Sequence, residues 1–397
     1  MGFVDRALPG ELVETNVYQV KRRFWRGSLG AVLEASPDRV ETAHAGCAGC
    51  DWAHFDPAAA RRAKQELFAE TLERIGHLDP RESGEHPVEP SPGGYRLRLR
   101  LHAKGRGDSA EIGYFAPRTH RVEPASQCEA LAPATRGLLP RLRDEIARSG
   151  AAVSELALLE DSSAERRLLR VTIDGDRRAA EGLAFRLAPH VTGIRVESAR
   201  GEARFSSGER VLDIPVRGRR FAVSLNSFFQ INRHLVATLA EEVEFEARRT
   251  PPGEALDAFG GAGLFAGSLL SADHRVTTVE SDPGAVADAR RTRRRWQDRD
   301  RWTIVCSDVQ GFVSRDDRRF GCVVVDPPRA GLGRDLARGI ARRVGGVLIY
   351  VSCDPATLAR DLSTLREERL HLTRVRLFDL FAFTHRLEAI ATLERAA

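Results

Sequence analysis

The chain has 397 residues, 42% hydrophobic and 29% charged, enough for two or three globular domains with sizeable cores. No run approaches the ~18–20 apolar residues of a membrane span, and the opening MGFVDRALPGELVE lacks the basic head and apolar stretch of a signal peptide. A secreted, membrane or disordered protein is therefore not expected; six cysteines are too few for a disulfide scaffold, and a cytoplasmic setting is expected. The net charge of +5 favours an anionic partner such as nucleic acid, but only weakly. Three of the 61 basic residues are lysines (Lys21, Lys64, Lys104) and the rest arginines, a bias that reflects genome composition as much as phosphate binding.

Residues 1–45 read as short strands, ELVETNVYQV and GSLGAVLEA, around the basic stretch KRRFWRG. This suits a small β-barrel-like module whose Arg, Phe and Trp side chains stack bases and meet phosphates; it equally suits an ordinary β-meander with a charged edge. Residues 46–218 form a central α+β region. It opens with HAGCAGCDWAHF and a helix over PAAARRAKQELFAETLERI, then a Pro/Gly/Ser-rich linker. YRLRLRLHAKG alternates as a strand does, and EIGYFAP is placed to pair with it. In residues 219–397 the apolar runs ALDAF, RVTTVE, RWTIVCSD, GCVVVD and GVLIYVSC alternate with helical patterns. That predicts an α/β, Rossmann-like domain with a parallel sheet covered on both faces. LTRVRLFDLF and LEAIATLER follow with no helix between them and predict an antiparallel edge pair.

ALDAFGGAGLF reads as strand, glycine turn and helix. Gly261 and Gly263 let the backbone approach a ligand at a helix amino end. Glu280 ends the next strand, where an acid binds the two hydroxyls of a ribose. The six-position dinucleotide fingerprint is absent, which argues against NAD and for a nucleoside cofactor without pyrophosphate, S-adenosylmethionine first among them. A tight turn beside a strand-end acid, with no ligand, explains the same residues.

CVVVDPPRAG puts Asp326 at a strand end before two prolines that remove amide donors and stiffen the loop, a rigid wall for a flat base. LIYVSCDPATLARDL puts Cys353 before a helix with Asp354 as N-cap and Pro355 at its first position. The helix dipole is expected to favour the thiolate. Cys306 and Cys322 are expected to be buried apolar residues of their strands. A nucleophile beside a methyl donor suits carbon 5 of a pyrimidine. Thiolate addition at carbon 6 makes carbon 5 nucleophilic, and a base must later remove the carbon-5 proton. FTHRLEAIATLER offers Glu388 and His385 near the start of the last strand.

These strings together resemble the RNA 5-methyluridine (uracil-C5) methyltransferase family with an N-terminal TRAM domain. ALPGELVETNVYQVKRRF and SPDRVE are similar to the TRAM module; SLNSFFQIN, LDAFGGAGLF, VVVDPPRAGL, YVSCDPATLARDL and FTHRLEAI follow the catalytic domain in order. The resemblance implies that Gln230, Phe259, Glu280 and Asp326 line the S-adenosylmethionine pocket, with Asp308 reaching towards the adenine. It implies Cys353 as nucleophile, Glu388 as base, and as substrate a uridine flipped out of a structured RNA, ribosomal or transfer. No membrane and no obligate protein partner are inferred.

The chain departs from the family in three places. The iron–sulfur branch has four cysteines, and here Glu41 stands at the first position, leaving Cys47, Cys50 and Cys128 where a 4Fe–4S cluster wants four thiolates. Either Glu41, His44 or an outside group completes the set, or the cluster is lost; the remnant itself favours 23S ribosomal RNA, on which that branch acts. The TRAM-like segment lacks its first strand. RRTRRR follows Glu280 where the family has small and amide residues. Two other readings are an amino-group base methyltransferase using DPPR, which Arg329 and Cys353 oppose, and an inactive RNA-binding factor, which Cys353, Glu388 and Asp326 together oppose.

Overall fold

The apolar runs beyond residue 250 pair into one eight-stranded sheet in a computed structural model that describes residues 1–42, 49–105 and 107–395. Its order is Trp302–Cys306, Arg275–Glu280, Glu254–Ala258, Phe320–Val325, Val344–Ser352, Glu388–Arg395, Leu370–Phe378, Val88–Glu89. The first five are parallel. Glu388–Arg395 runs antiparallel to both neighbours, so its amino end lies at the carboxyl edge of the others. Alternate residues feed two cores. Ala255, Val324 and Ile349 pack with helices Val236–Ala247, Leu264–Ser271 and Pro283–Arg295. Leu256, Val323 and Leu348 pack with helices Val309–Arg315, Gly333–Arg343 and Pro355–Glu367. Burial on both faces is why these strands read as continuous apolar runs rather than alternating ones.

The N-terminal half also builds this layer. Helix Pro57–Gly76 is capped by Asp56, whose carboxylate accepts from the Ala58 and Ala59 amides. Its Phe68 and Leu72 enter the second core. Val88–Glu89, inside the Pro/Gly/Ser-rich linker, pairs with Leu370–Phe378 and covers that edge. Helix and linker thus clothe the catalytic sheet.

A second, seven-stranded sheet runs Ala203–Gly208, Gly193–Ser198, Arg167–Asp174, Ala152–Glu160, Arg98–Lys104, Glu111–Phe115, Val122–Pro124. The alternating segment pairs with Glu111–Phe115 as its pattern predicts. Helices Pro133–Ser149 and Arg177–Leu187 bury Leu139, Leu142, Leu183 and Leu187 against this sheet. The N-terminal module is a three-stranded sheet, Gly2–Asp5, Trp25–Glu34, Leu12–Val20, with most side chains exposed. Among the described residues no helix is long and apolar enough to cross a membrane.

Glu160, fully buried at the end of strand Ala152–Glu160, ties the second sheet to the segment that leads into helix Val236–Ala247. Its carboxylate accepts from Thr135 Oγ1, from Arg167 Nε at 3.2 Å and from Arg233 Nη2 at 3.0 Å. Arg233 also donates to the Arg96 carbonyl at 3.1 Å. Removing one partner of such a buried cluster strands the other charges. Glu160→Ala is expected to lower unfolding stability by about 3 kcal/mol, read as a shifted urea midpoint; a change within measurement error would show the cluster to be hydrated.

Candidate active site

The crevice of an open α/β sheet lies where the strand order reverses, here between Glu254–Ala258 and Phe320–Val325. The loop after Glu254–Ala258 is shaped by backbone constraint. Phe259 has φ +64°, a value that a bulky residue holds only when its surroundings over-determine it. Its amide and that of Gly260 both donate to the Val279 carbonyl, at 3.0 and 3.2 Å. Gly263 has φ +92°, and a Cβ there would lie 2.5 Å from the Trp302 ring. Beneath the loop a relay runs from Trp302 Nε1 to Thr278 Oγ1 (2.8 Å) and from that hydroxyl to Asp257 Oδ2 (3.0 Å). Glu280 closes the loop's other side: Oε2 accepts from the Gly261 amide at 3.0 Å, and Oε1 from the Asp282 amide at 2.7 Å. Its carboxylate is thereby fixed at the strand end.

Gln230 and Asp326 meet across the crevice, Nε2 donating to Oδ2 at 3.1 Å. Gln230 is held by its own segment. Asn232, fully buried, donates to Ser91 Oγ and the Leu380 carbonyl and accepts from the His234 and Leu235 amides. Upstream, Asp288 accepts from the Ser224 amide and Ser227 Oγ. Burial pushes the Asp326 carboxyl up, as does Asp257 beside it, while the Gln230 bond pulls it down. Burial likewise raises Asp257, whose Oδ1 is buried with no hydrogen-bond partner.

Cys353 and Glu388 come together through strand register. Ser352 pairs with Ala389, so the next pair outward on these antiparallel strands is Cys353 with Glu388. Asp354 caps helix Pro355–Glu367 by accepting from the Thr357 amide at 2.9 Å. Contrary to the dipole expectation, the thiol is pushed up to about 11. Burial is the main cause, then the Glu388 and Asp326 carboxyls; only the Arg329 guanidinium, hydrogen-bonded to the sulfur, pulls the other way. The helix end is already occupied by the Asp354 carboxylate, and nearby acids outweigh a screened dipole. Glu388 is also raised well above the ordinary range, by burial and then Asp326.

Most of the anticipated residues thus share one edge. Asp308 lies on the same rim but is exposed, and its carboxylate caps its own helix by accepting from the Gly311 amide at 2.6 Å. Cys322 is buried as expected; Cys306 is exposed instead, because it ends the outermost strand. Two residues go beyond the sequence reading. Asp257 has a visible signal, an acid three residues before the first glycine of the turn, and Arg329 follows the prolines of DPPR. Of the cysteine set, Cys47 lies outside the described residues. Cys50 and Cys128 are buried with sulfurs 3.9 Å apart. Glu41 is exposed, and the other three cysteines belong to the catalytic sheet, so the chain offers three thiolates where a 4Fe–4S cluster takes four. Among the described residues no group of three His, Cys, Asp or Glu is arranged to hold a metal.

Five parallel strands that reverse beside a glycine turn, followed by an antiparallel strand inserted before Leu370–Phe378, make this a Rossmann-like methyltransferase fold. A family model described as tRNA (Uracil-5-)-methyltransferase matches residues 309–396. A protein of Streptomyces avermitilis described as an uncharacterized RNA methyltransferase is 32% identical over all of this chain and 93% of its own length. The 23S rRNA (uracil(1939)-C(5))-methyltransferase RlmD of Dichelobacter nodosus is 26% identical over 99% of this chain and 93% of its own. The Pyrococcus abyssi tRNA (uracil-54, C5)-methyltransferase, solved with S-adenosyl-L-homocysteine, shares the fold: TM-score 0.78, 23% identity, 99% of this chain and 94% of that one. The chain belongs to the RNA (uracil-5-)-methyltransferase family, and it is an enzyme.

With the thiol near 11, the ionised fraction of Cys353 grows about tenfold per pH unit across the neutral range. Alkylation of the Cys353 peptide in the free enzyme, followed by mass spectrometry, is expected to climb steadily from about pH 7 to 9. A plateau near neutrality would show an already ionised sulfur.

Proposed function

We propose that the protein methylates carbon 5 of a uridine in structured RNA, with S-adenosylmethionine as donor and Cys353 as covalent nucleophile. The observation that carries this reading is the register that sets Cys353 against Glu388 beside Asp326. A nucleophile and a base are then offered side by side to one double bond. Exocyclic amines need neither, so the amino-group reading loses its reason.

The donor is assigned to the glycine turn. Glu280 would take the ribose hydroxyls, the Phe259–Gly263 turn would border the amino-acid part, and Gln230 with Asp326 borders the reaction centre. S-adenosylmethionine supplies an electrophilic methyl group and one positive charge. Cys353, its thiol proton lost to solvent, adds as the thiolate to carbon 6 of the uracil; electron density moves to carbon 5, which takes the methyl group as the donor's sulfur–methyl bond breaks and its sulfonium becomes a neutral thioether. Glu388 then removes the carbon-5 proton, the carbon 6–sulfur bond breaks, and the thiolate returns. Arg329 stabilises the sulfur anion at both ends of the cycle.

The RNA is assigned to the face between the two sheets. A cleft of about 270 Å³ opens there between strands Arg167–Asp174 and Gly193–Ser198 and helix Pro283–Arg295, with Arg170, Arg195, Arg210 and Arg291 in its lining. Arg170, Arg195 and Arg291 pair there with Glu155, Glu197 and Asp288, so phosphates would exchange for these carboxylates, contacts that carry no sequence information. The RlmD relative, matched along nearly its whole length, together with the cysteine remnant, favours 23S ribosomal RNA over transfer RNA.

Cys353→Ala is expected to abolish methylation and retain donor binding, and Glu388→Gln to accumulate a protein–RNA adduct on a denaturing gel. Full turnover in the alanine variant would remove the covalent mechanism. Nucleoside mass spectrometry of a deletion strain is expected to show 5-methyluridine missing from ribosomal RNA; loss from transfer RNA alone would reassign the substrate.

A further inference from the structure

We infer that Asp51 and His385 form a clasp that positions Glu388 from outside the catalytic domain. The inference rests on the reading of Glu388 as proton acceptor. Glu388 begins its strand directly after the nine-residue connection 379–387, and that connection holds little of itself in place. Its internal bonds are few: the Thr384 amide and hydroxyl donate to the Phe381 carbonyl, and the Arg386 amide to Thr384 Oγ1.

The other bonds come from the N-terminal half and from Asn232. The Asp379 amide donates to the Glu89 carbonyl at 2.8 Å, and the Asp379 carboxylate meets Lys64 Nζ in a buried ion pair. Asn232 Nδ2 donates to the Leu380 carbonyl at 2.9 Å and Tyr95 Oη to the Ala382 carbonyl at 3.2 Å. The Trp52 amide donates to the Phe383 carbonyl at 2.9 Å. The Asp51 carboxylate takes both the His385 amide, at 3.3 Å, and His385 Nδ1. Phe383 is held at φ +67°, a conformation that persists only where neighbours impose it.

The clasp is the outermost of these bonds and the nearest to the base, three residues before Glu388. Its side chains are 39% and 60% exposed. An exposed pair of this kind contributes little to global stability, so its loss leaves the fold intact. What it fixes is the last turn before a buried carboxyl whose aim sets the rate of proton removal. Asp51 and Trp52 follow Cys50, buried against Cys128. The cysteine segment therefore acts as a splint for the catalytic loop as well.

The test compares Asp51→Asn, His385→Ala and the double variant with the full-length enzyme and its RNA substrate. Each single change is expected to lower kcat about tenfold with KM for RNA and donor affinity unchanged. Methylated protein–RNA adduct should accumulate during turnover, as in Glu388→Gln, because proton removal is the step that slows. The double variant should be no worse than the singles, and amide hydrogen exchange of residues 380–388 should quicken in all three. Adduct in Glu388→Gln with none in the clasp variants, at unchanged exchange, would overturn the clasp. Quickened exchange with no adduct even in Glu388→Gln would support the clasp and fault the assignment of the base.

Discussion

An acid-crowded thiol is the constraint on which the site turns. Cys353 stands against Glu388 and Asp326, with one guanidinium in opposition. Burial first, and these acids second, push the thiol up to about 11 in the free protein. The arrangement is poor for a resting nucleophile and good for a gated one. Any cation brought to the acid pair works in the same direction as Arg329, and so favours the thiolate when the ligands are in place.

The sheet explains why these groups meet. Five parallel strands put their carboxyl ends on one rim, which supplies the glycine turn, Glu280, Asp326 and Cys353. A parallel strand cannot bring a residue to that rim from its amino end; the antiparallel strand Glu388–Arg395 can. Inserting it between Val344–Ser352 and Leu370–Phe378 places the base beside the nucleophile with no added loop. The cost is a connection, 379–387, that must be anchored by segments distant in sequence.

The catalytic sheet was legible because its strands are buried on both faces and read as apolar runs separated by helical periods. Cys353 and Asp326 were legible as strand-end chemistry, whereas Glu388 drew its meaning from the resemblance. What escaped was tertiary. Helix Pro57–Gly76 was readable as a helix, but its place on the catalytic layer depends on Phe68 and Leu72 meeting residues nearly three hundred positions away. Cys306 looked like an apolar strand residue and proved exposed, because strand order decides which strand is outermost. The raised Cys353 thiol has a related cause: a dipole is visible in the local sequence, whereas burial and the two carboxyls folded against the sulfur are not. Asp51 carried no local signal at all, since its partner lies 334 residues along the chain.

That division has a physical logic. Residues that touch reactants sit at strand ends, where the backbone itself fixes their direction, so short motifs encode them. Residues that tune the reactants act through space. The Asp257–Thr278–Trp302 relay holds the glycine turn from below, and Arg329 reaches a sulfur on a neighbouring loop. A neutral thiol between carboxyls is also slow to oxidise, since sulfenic acid forms from the thiolate. The burial and neighbouring acids that raise the thiol therefore also oppose its oxidation.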